Sequence, residues 1–198
     1  MTPSRWALVA VLAAVALAAG VAGGRLLLAV PSPAPAPPRA ARPPVPSGPP
    51  PGFVEFRDEL FSIAYPASWE RRDGGEAEVE ILATQGRTAS FLVRVVPLDF
   101  EVGSANLETA KRLTDQVVRS GKGVKLIAPP QRSDLGGLPG YFYLYTFENA
   151  EGDRGSHSHY FLFRGDTMYT IVFQALPADR LSGLAPVFDQ IAASFRPS

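Results

Sequence analysis

Over the C-terminal two-thirds of the chain, apolar and polar positions alternate with a period of two, broken twice by a period near 3.6. Phe53 to Arg57 and Phe61 to Tyr65 alternate around Asp58-Glu59, as two short strands or one bent strand would. Pro66 lacks an amide hydrogen and stops that ladder; Trp69 follows within a turn, where it can fold back over the sheet end as a core lid. Val79 to Ala83 and Ser90 to Val96 read as further strands joined by a Gln85-Gly86-Arg87 turn, and Val124 to Ala128 as a short one. Leu138-Pro139-Gly140 has turn chemistry and precedes three strands: Tyr141 to Glu148, Ser156 to Arg164 and Thr167 to Ala175. Gly165-Asp166 suits a two-residue hairpin loop, which sets Arg164 opposite Thr167, Tyr160 beside Ile171 and Leu162 beside Tyr169, with Phe173 on the same face.

The helical period appears first across Asn106 to Ser120. Leu107, Ala110, Leu113 and Val117 share one predicted face; Glu108, Lys111, Arg112, Asp115 and Arg119 take the other, with Glu108–Arg112 and Asp115–Arg119 as acid-before-base pairs and Gly121 as terminator. Leu181 to Phe195 repeats the pattern through Leu181, Leu184, Phe188, Ile191 and Phe195. If Ser182 caps the helix, Pro186 falls in the first turn, where amides have no intrahelical partner. Several antiparallel strands with two amphipathic helices give an α+β class, an antiparallel sheet flanked by two helices, over residues 53–198.

The first 52 residues follow neither period. Trp6 to Gly24 carries no charge and the apolar run resumes after Arg25 as far as Val30; this is enough to cross a hydrocarbon layer of about 30 Å at about 1.5 Å per residue. Residues 1–30 are therefore expected to be a signal anchor or transmembrane segment. Cleavage is the alternative, because Ala16-Leu17-Ala18 has the small-x-small form and Met1 to Arg5 a short positive n-region. From Pro31 to Pro51, eleven of 21 residues are proline, so residues 31–52 form neither helix nor ladder and are expected to be an extended linker, up to roughly 65 Å long at about 3.1 Å per residue.

Arg5 flanks one end of the apolar run and Arg25, Arg39 and Arg42 the other, so the positive-inside balance leans towards a cytoplasmic domain, while the n-region has the form of an export signal. The expectation adopted is a single-pass membrane protein with its globular domain outside the cytoplasm, or a secreted one if the segment is cleaved. The first 52 residues hold four arginines and no acid, which leaves 15 basic and 19 acidic residues for the rest; no basic nucleic-acid surface results. No cysteine is present, so no disulfide holds the fold and no lipidated cysteine holds the membrane.

Candidate chemistry is sparse. His157 and His159, the two histidines of the chain, lie two apart in a strand and point the same way. His-x-His can give zinc two ligands, but a catalytic site needs a third, here a carboxylate such as Glu148 or Asp153; two solvated or edge histidines are the plainer reading. Ser156 and Ser158 flank His157 on opposite faces without a G-x-S-x-G, and Gly121-Lys122-Gly123 lacks both diagnostic features of a phosphate loop. Asp73 to Glu76 and Glu148 to Asp153 read as solvated turns, and no cofactor is called for. Tyr141, Tyr143 and Tyr145 at period two are core, or alternatively line a cleft for an apolar ligand; with Trp69, His159 and Gln174 they make up the candidate ligand or partner contacts.

"FSIAYPASWE" resembles the start of the PsbP/DcrB-like domains, in which a Phe-Ser-Ile-x-Tyr-Pro-x-x-Trp string opens a compact domain; Phe61, Ser62, Ile63, Tyr65, Pro66 and Trp69 stand at those positions. "GDTMYTIVFQALPADRLSGLAPVFDQIAASFRP" is similar to the family's last strand and helix, closing with Ile191, Ser194 and Phe195. The resemblance spans about Phe53 to Pro197. It implies an antiparallel sheet between helices, in a family of extrinsic photosystem subunits and membrane-anchored bacterial cell-envelope proteins, many without a known activity. The shared positions are structural, so no catalytic residue set comes with it. The expected function is non-catalytic: a membrane-tethered domain that binds or stabilises a protein partner, with a carrier of an apolar or lipid-like ligand and a metal-dependent hydrolase using His157 and His159 as alternatives.

Overall fold

The computed structural model describes residues 48–198 except 73, 76, 77 and 104. The expected membrane segment and most of the proline-rich linker lie outside the described residues. Among the described residues no helix is long and apolar enough to cross a membrane.

The strands β1 (Phe53–Arg57) and β2 (Phe61–Pro66) pair antiparallel and, with β10 (Arg196–Pro197) on the other side of β2, form a small three-stranded sheet. The Asp58 side chain turns the chain between them, its Oδ1 accepting from the Leu60 and Phe61 amides. The larger sheet has seven strands, ordered β3-β4-β5-β9-β8-β6 with β7 also paired to β8: β3 (Glu70–Arg72), β4 (Val79–Gln85), β5 (Ala89–Val102), β6 (Lys125–Leu126), β7 (Gln131–Leu135), β8 (Leu138–Glu148) and β9 (Arg154–Ala175). Helix α1 (Leu107–Arg119) follows β5 and helix α2 (Leu181–Ala193) follows β9. This is an α+β fold of antiparallel sheets and two helices, with one sheet more than the sequence pattern announces.

β9 is extended throughout but folds back on itself. A straight strand would separate residues 157 and 174 by roughly 56 Å at about 3.3 Å per residue, yet His157 Nε2 lies 3.1 Å from Gln174 Oε1 and the rings of Tyr160 and Phe173 are 6.4 Å apart. The reversal falls at Gly165-Asp166, with Gly165 at φ 56°, so the hairpin and the register inferred from the sequence both stand. One arm pairs with β8 and the other with β5. After Pro97, which has no amide to give, the β5 register slips: Pro97 faces Thr167 but Val102 faces Gly165. The strand then continues over α1 through Leu98, Phe100 and Val102.

Alternation along the strands builds a core on each face of the large sheet. On one side Phe91, Ile171 and Phe173 meet Phe61 and Ile63 of β2 and Phe188, Ile191 and Phe195 at the α2 end. Ser194 fastens that helix end to β2: its Oγ accepts from the Ala64 amide at 2.8 Å and donates to the Ile191 carbonyl at 2.6 Å. On the other side Tyr141, Tyr143, Phe161 and Phe163 pack under α1.

Four local expectations need correction. The buried stripe of α1 is Leu107, Ala110, Thr114 and Val118, while Val117 is 41% exposed, because the Thr114 hydroxyl has a buried partner on β8 and draws that side inward. Its carboxylates pair differently too: Asp115 with Lys111 and Glu108 with Arg132 of β7, both nearer than the expected arginines. Leu138-Pro139-Gly140 is strand, not turn; the turn is Gly136-Gly137, both at positive φ, and β8 starts at once so that Gly140 can press against the Phe161 carbonyl. Helix α2 starts at Leu181 without a side-chain cap from Ser182, since a 3-10 turn at Ala178–Arg180 leads into it, and Pro186 lies inside.

Candidate functional site

The polar candidates separate by face. Trp69 is buried on the α2 side, its ring 6.1 Å from Phe91 and edge-on to Phe188 at 6.3 Å; it is a core residue there. Tyr141, Tyr143, Tyr145, His157, His159 and Gln174 lie on the α1 side, as their even spacing and the β8–β9 register require.

Under α1 the tyrosine hydroxyls are held by helix side chains. Tyr143, 1% exposed, donates to Asp115 Oδ1 at 2.7 Å and receives Thr114 Oγ1 at 2.7 Å. The assignment follows from Asp115 being an acceptor only. Burial raises the Asp115 carboxyl, but the hydrogen bonds from Lys111 and Tyr143 and the charges of Lys111 and Arg119 together outweigh it and hold the group below the ordinary carboxylate value. Tyr141 donates to Glu108 Oε1 at 3.2 Å, and Arg132 Nη2 reaches the same oxygen at 2.7 Å; bonds from Arg132 first and Tyr141 second lower the Glu108 carboxyl. None of these bonds was legible in the sequence, whose apolar pattern put Leu113 and Val117 and not Thr114 on the inner side of the helix.

Beyond α1, one row of the sheet brings Tyr145, His157 and Gln174 side by side, with His159 two residues along. Tyr145 Oη lies 3.1 Å from Nδ1 of both histidines. His157 stacks on Phe147 at 4.1 Å between ring centres and His159 on Phe161 at 3.9 Å. Gln174 Oε1 can only accept, so His157 carries its proton on Nε2 and presents a lone pair at Nδ1. Tyr145 must donate to that lone pair, and His159 Nδ1–H must then donate to Tyr145 Oη. His159 Nε2 remains a bare acceptor, buried and with no hydrogen-bond partner. Burial lowers His157 despite its bond to Gln174. It lowers His159 much further, with the positive charges of His157 and Arg94 adding to the effect. Burial likewise raises the Tyr145 phenol, so the cluster is neutral near pH 7.

Both Nδ1 atoms are spent on one tyrosine, and the Nε2 atoms serve Gln174 and a closed interior. Among the described residues no group of three or more His, Cys, Asp or Glu side chains is disposed to hold a metal ion. Two hollows are found among the described residues, and the tyrosines line neither. A groove of about 800 Å³ lies between Gly48–Pro51, β1, β2 and the end of α2, lined by Glu55, Arg57, Ser62, Gln190 and Arg196 among others. A smaller hollow of about 320 Å³ lies between Leu107 and Arg132–Asp134 and Pro139. None of the candidate residues lines either.

The PsbP family model matches residues 51–197. The chain belongs to the PsbP family. The PsbP fold is shared with cyanobacterial PsbP (CyanoP) from Synechocystis sp. PCC 6803, at 17% identity over 74% of this chain and 93% of that one, TM-score 0.56. It is shared too with LpqN of Mycobacterium tuberculosis, described as involved in cell envelope biogenesis, at 12% identity over 74% and 90%, TM-score 0.52. At such identities the likeness is one of fold, and PsbP membership brings no site residues with it. None of the curated proteins matches the chain.

Proposed function

We propose that this chain is a non-catalytic, membrane-tethered PsbP domain that works outside the cytoplasm by binding and stabilising a protein partner. The observation that carries the reading is the sheet edge at β6. Leu126 and Ile127 are 48% and 52% exposed there, and Val117, on the α1 turn that leads into it, is 41% exposed. Apolar side chains left uncovered at a two-residue edge strand suit a surface that another chain covers. The tyrosine and histidine groups that a catalyst would use are instead engaged in hydrogen bonds within the fold. An envelope setting agrees with what is described for LpqN, and the apolar run before residue 31 supplies the tether.

The test is photo-crosslinking from residues 126 and 127 of the full chain in native membranes, with Arg112 on the charged side of α1 as control. The expected result is one crosslinked protein from both edge positions and none from the control. Equal labelling from all three positions, or none from any, contradicts the proposal. A reporter fused after Ser198 tests the side of the membrane; activity on the cytoplasmic side alone contradicts the location.

A further inference from the structure

We infer that His157, Tyr145 and His159 form a proton relay, in which one proton taken up by the cluster comes to rest on His157 and reverses the tautomer of His159. In the neutral cluster His159 Nδ1–H donates to Tyr145 Oη, the Tyr145 hydroxyl donates to His157 Nδ1, and His157 Nε2–H donates to Gln174 Oε1. Within this cluster the buried lone pair at His159 Nε2 has no hydrogen-bond partner among the described residues.

A single added proton has three resting places. If it simply joins His157 Nδ1, two N–H groups point at one phenol oxygen; the phenol hydrogen then loses its acceptor, and His159 Nε2 stays bare. Two groups are left unpaired. If it joins His159, the charge sits on a residue only 7% exposed and near Arg94. In the third arrangement the relay reverses. An N–H bond forms at His159 Nε2, the Nδ1–H bond of His159 breaks as its proton passes to Tyr145, and the Tyr145 O–H bond breaks as its proton passes to His157 Nδ1. His157 then donates to both Gln174 and Tyr145, and Tyr145 donates to His159 Nδ1. All three bonds survive, one group (His159 Nε2–H) is unpaired, and the charge lies on the half-buried imidazole instead of the fully enclosed one. The second and third arrangements keep the same three bonds and leave the same group unpaired, so the end state is set by where the charge lies, on the more exposed of the two rings, and not by the route the proton takes.

The charged and titratable groups on the surrounding elements favour the same outcome. Arg94 on β5 opposes charge at His159. On the α1 side Tyr143 is bonded to Asp115, which is itself paired with Lys111. On β8 the Tyr145 phenol stays protonated because burial opposes its ionisation. Lys125 lies on β6, which pairs with β8 one residue from Tyr145 and adds no acceptor. The sheet face thus gains one positive charge on acidification without losing a hydrogen bond.

Only two histidines occur in the chain, so histidine-selective ¹⁵N labelling of the full protein in detergent gives four assignable ring nitrogens. At neutral pH the expected pattern is Nε2–H for His157 and Nδ1–H for His159. On acidification His157 becomes doubly protonated and His159 changes to Nε2–H, with one shared midpoint. Separate midpoints, or an His159 that keeps Nδ1–H while His157 is charged, overturn the relay. Tyr145→Phe should uncouple the pair, so that His157 titrates while His159 keeps its tautomer; coupled changes in that variant overturn it as well. Gln174→Glu covers the case in which Tyr145→Phe does not fold. A carboxylate facing His157 Nε2–H should move the His157 midpoint upward and carry the His159 tautomer change with it by the same shift, whereas a shift of His157 alone contradicts the relay.

Discussion

Replacing Tyr143 by Phe removes one oxygen from the middle of the α1–β8 interface and leaves the ring, and hence the packing on Phe161 at 5.5 Å, in place. That oxygen makes two bonds of 2.7 Å, one from Thr114 and one to the ionised Asp115. A neutral bond contributes about 1 kcal/mol net and one to a charged group about 1.5–3. Asp115 keeps Lys111 at 2.8 and 3.0 Å, and its side chain is 21% exposed, so water replaces part of what is lost. The expected destabilisation of Tyr143→Phe is therefore about 2 kcal/mol, or about 4–8 °C in Tm for a domain of this size. Urea unfolding of the full chain in detergent, followed by circular dichroism, reads it. Thr114→Val should cost about 1 kcal/mol, and the double variant less than the sum, because both remove one shared bond. The pH dependence has a definite sign. Asp115 in the fold lies below its ordinary 3.8, so its contribution is present above that value and lost as the pH falls through the lower folded one; the gap between wild type and Tyr143→Phe should narrow there. A change under about 0.5 kcal/mol, or strict additivity with Thr114→Val, refutes the reasoning.

Three further outcomes follow from particular contacts. Gly140→Ala places a Cβ 1.9 Å from the Phe161 carbonyl oxygen and 2.9 Å from the Leu162 Cα, and because backbone cannot step aside it should cost at least about 3 kcal/mol; a melt within a degree or two of wild type contradicts the β8–β9 geometry. Gly183→Ala, inside α2 with nothing within 4 Å of the new Cβ, should stabilise by about 0.5–1 kcal/mol in the same assay, and a loss instead contradicts the helix placement. His157 and His159 are both held below 6.5, so the unfolded chain takes up protons first and stability, full above pH 6.5, declines as the pH falls below it. His159→Phe should flatten that decline below pH 6.5 while costing about 1 kcal/mol at neutral pH for the lost bond to Tyr145; an unchanged slope contradicts the buried, neutral state of His159.

The strands that carry the core were legible because one face of each is buried, and period two survives in the residue types. The Gly165-Asp166 hairpin could be placed from its two-residue turn chemistry, and burial holds its register: a one-residue slip of one arm against the other would turn Leu162 and Ile171 to opposite faces. What escaped had no such signal. β7 reads Gln-Arg-Ser-Asp-Leu, an edge strand whose pairing with β8 depends on backbone groups and shows no alternation. The inward turn of α1 by one residue depends on Thr114 finding Tyr143, a partner 29 positions away. In the candidate site, His157, His159, Tyr145 and Gln174 each stood out from the sequence, and period two placed the histidines on one face with Gln174. The single hydroxyl that joins the two rings needed the β8–β9 register, which sets Tyr145 opposite His157.

The most direct measurement compares two double variants of the full chain in native membranes, Leu126→Asp with Ile127→Asp and His157→Gln with His159→Gln, by the size of the complex each forms on a native gel. If the uncovered β6 edge is the working surface and the histidines serve the fold, the edge variant runs as the free chain and the histidine variant keeps the larger assembly. The reverse pattern, an intact assembly without the edge residues and a lost one without the imidazoles, contradicts the proposal that this domain binds a protein through its sheet edge.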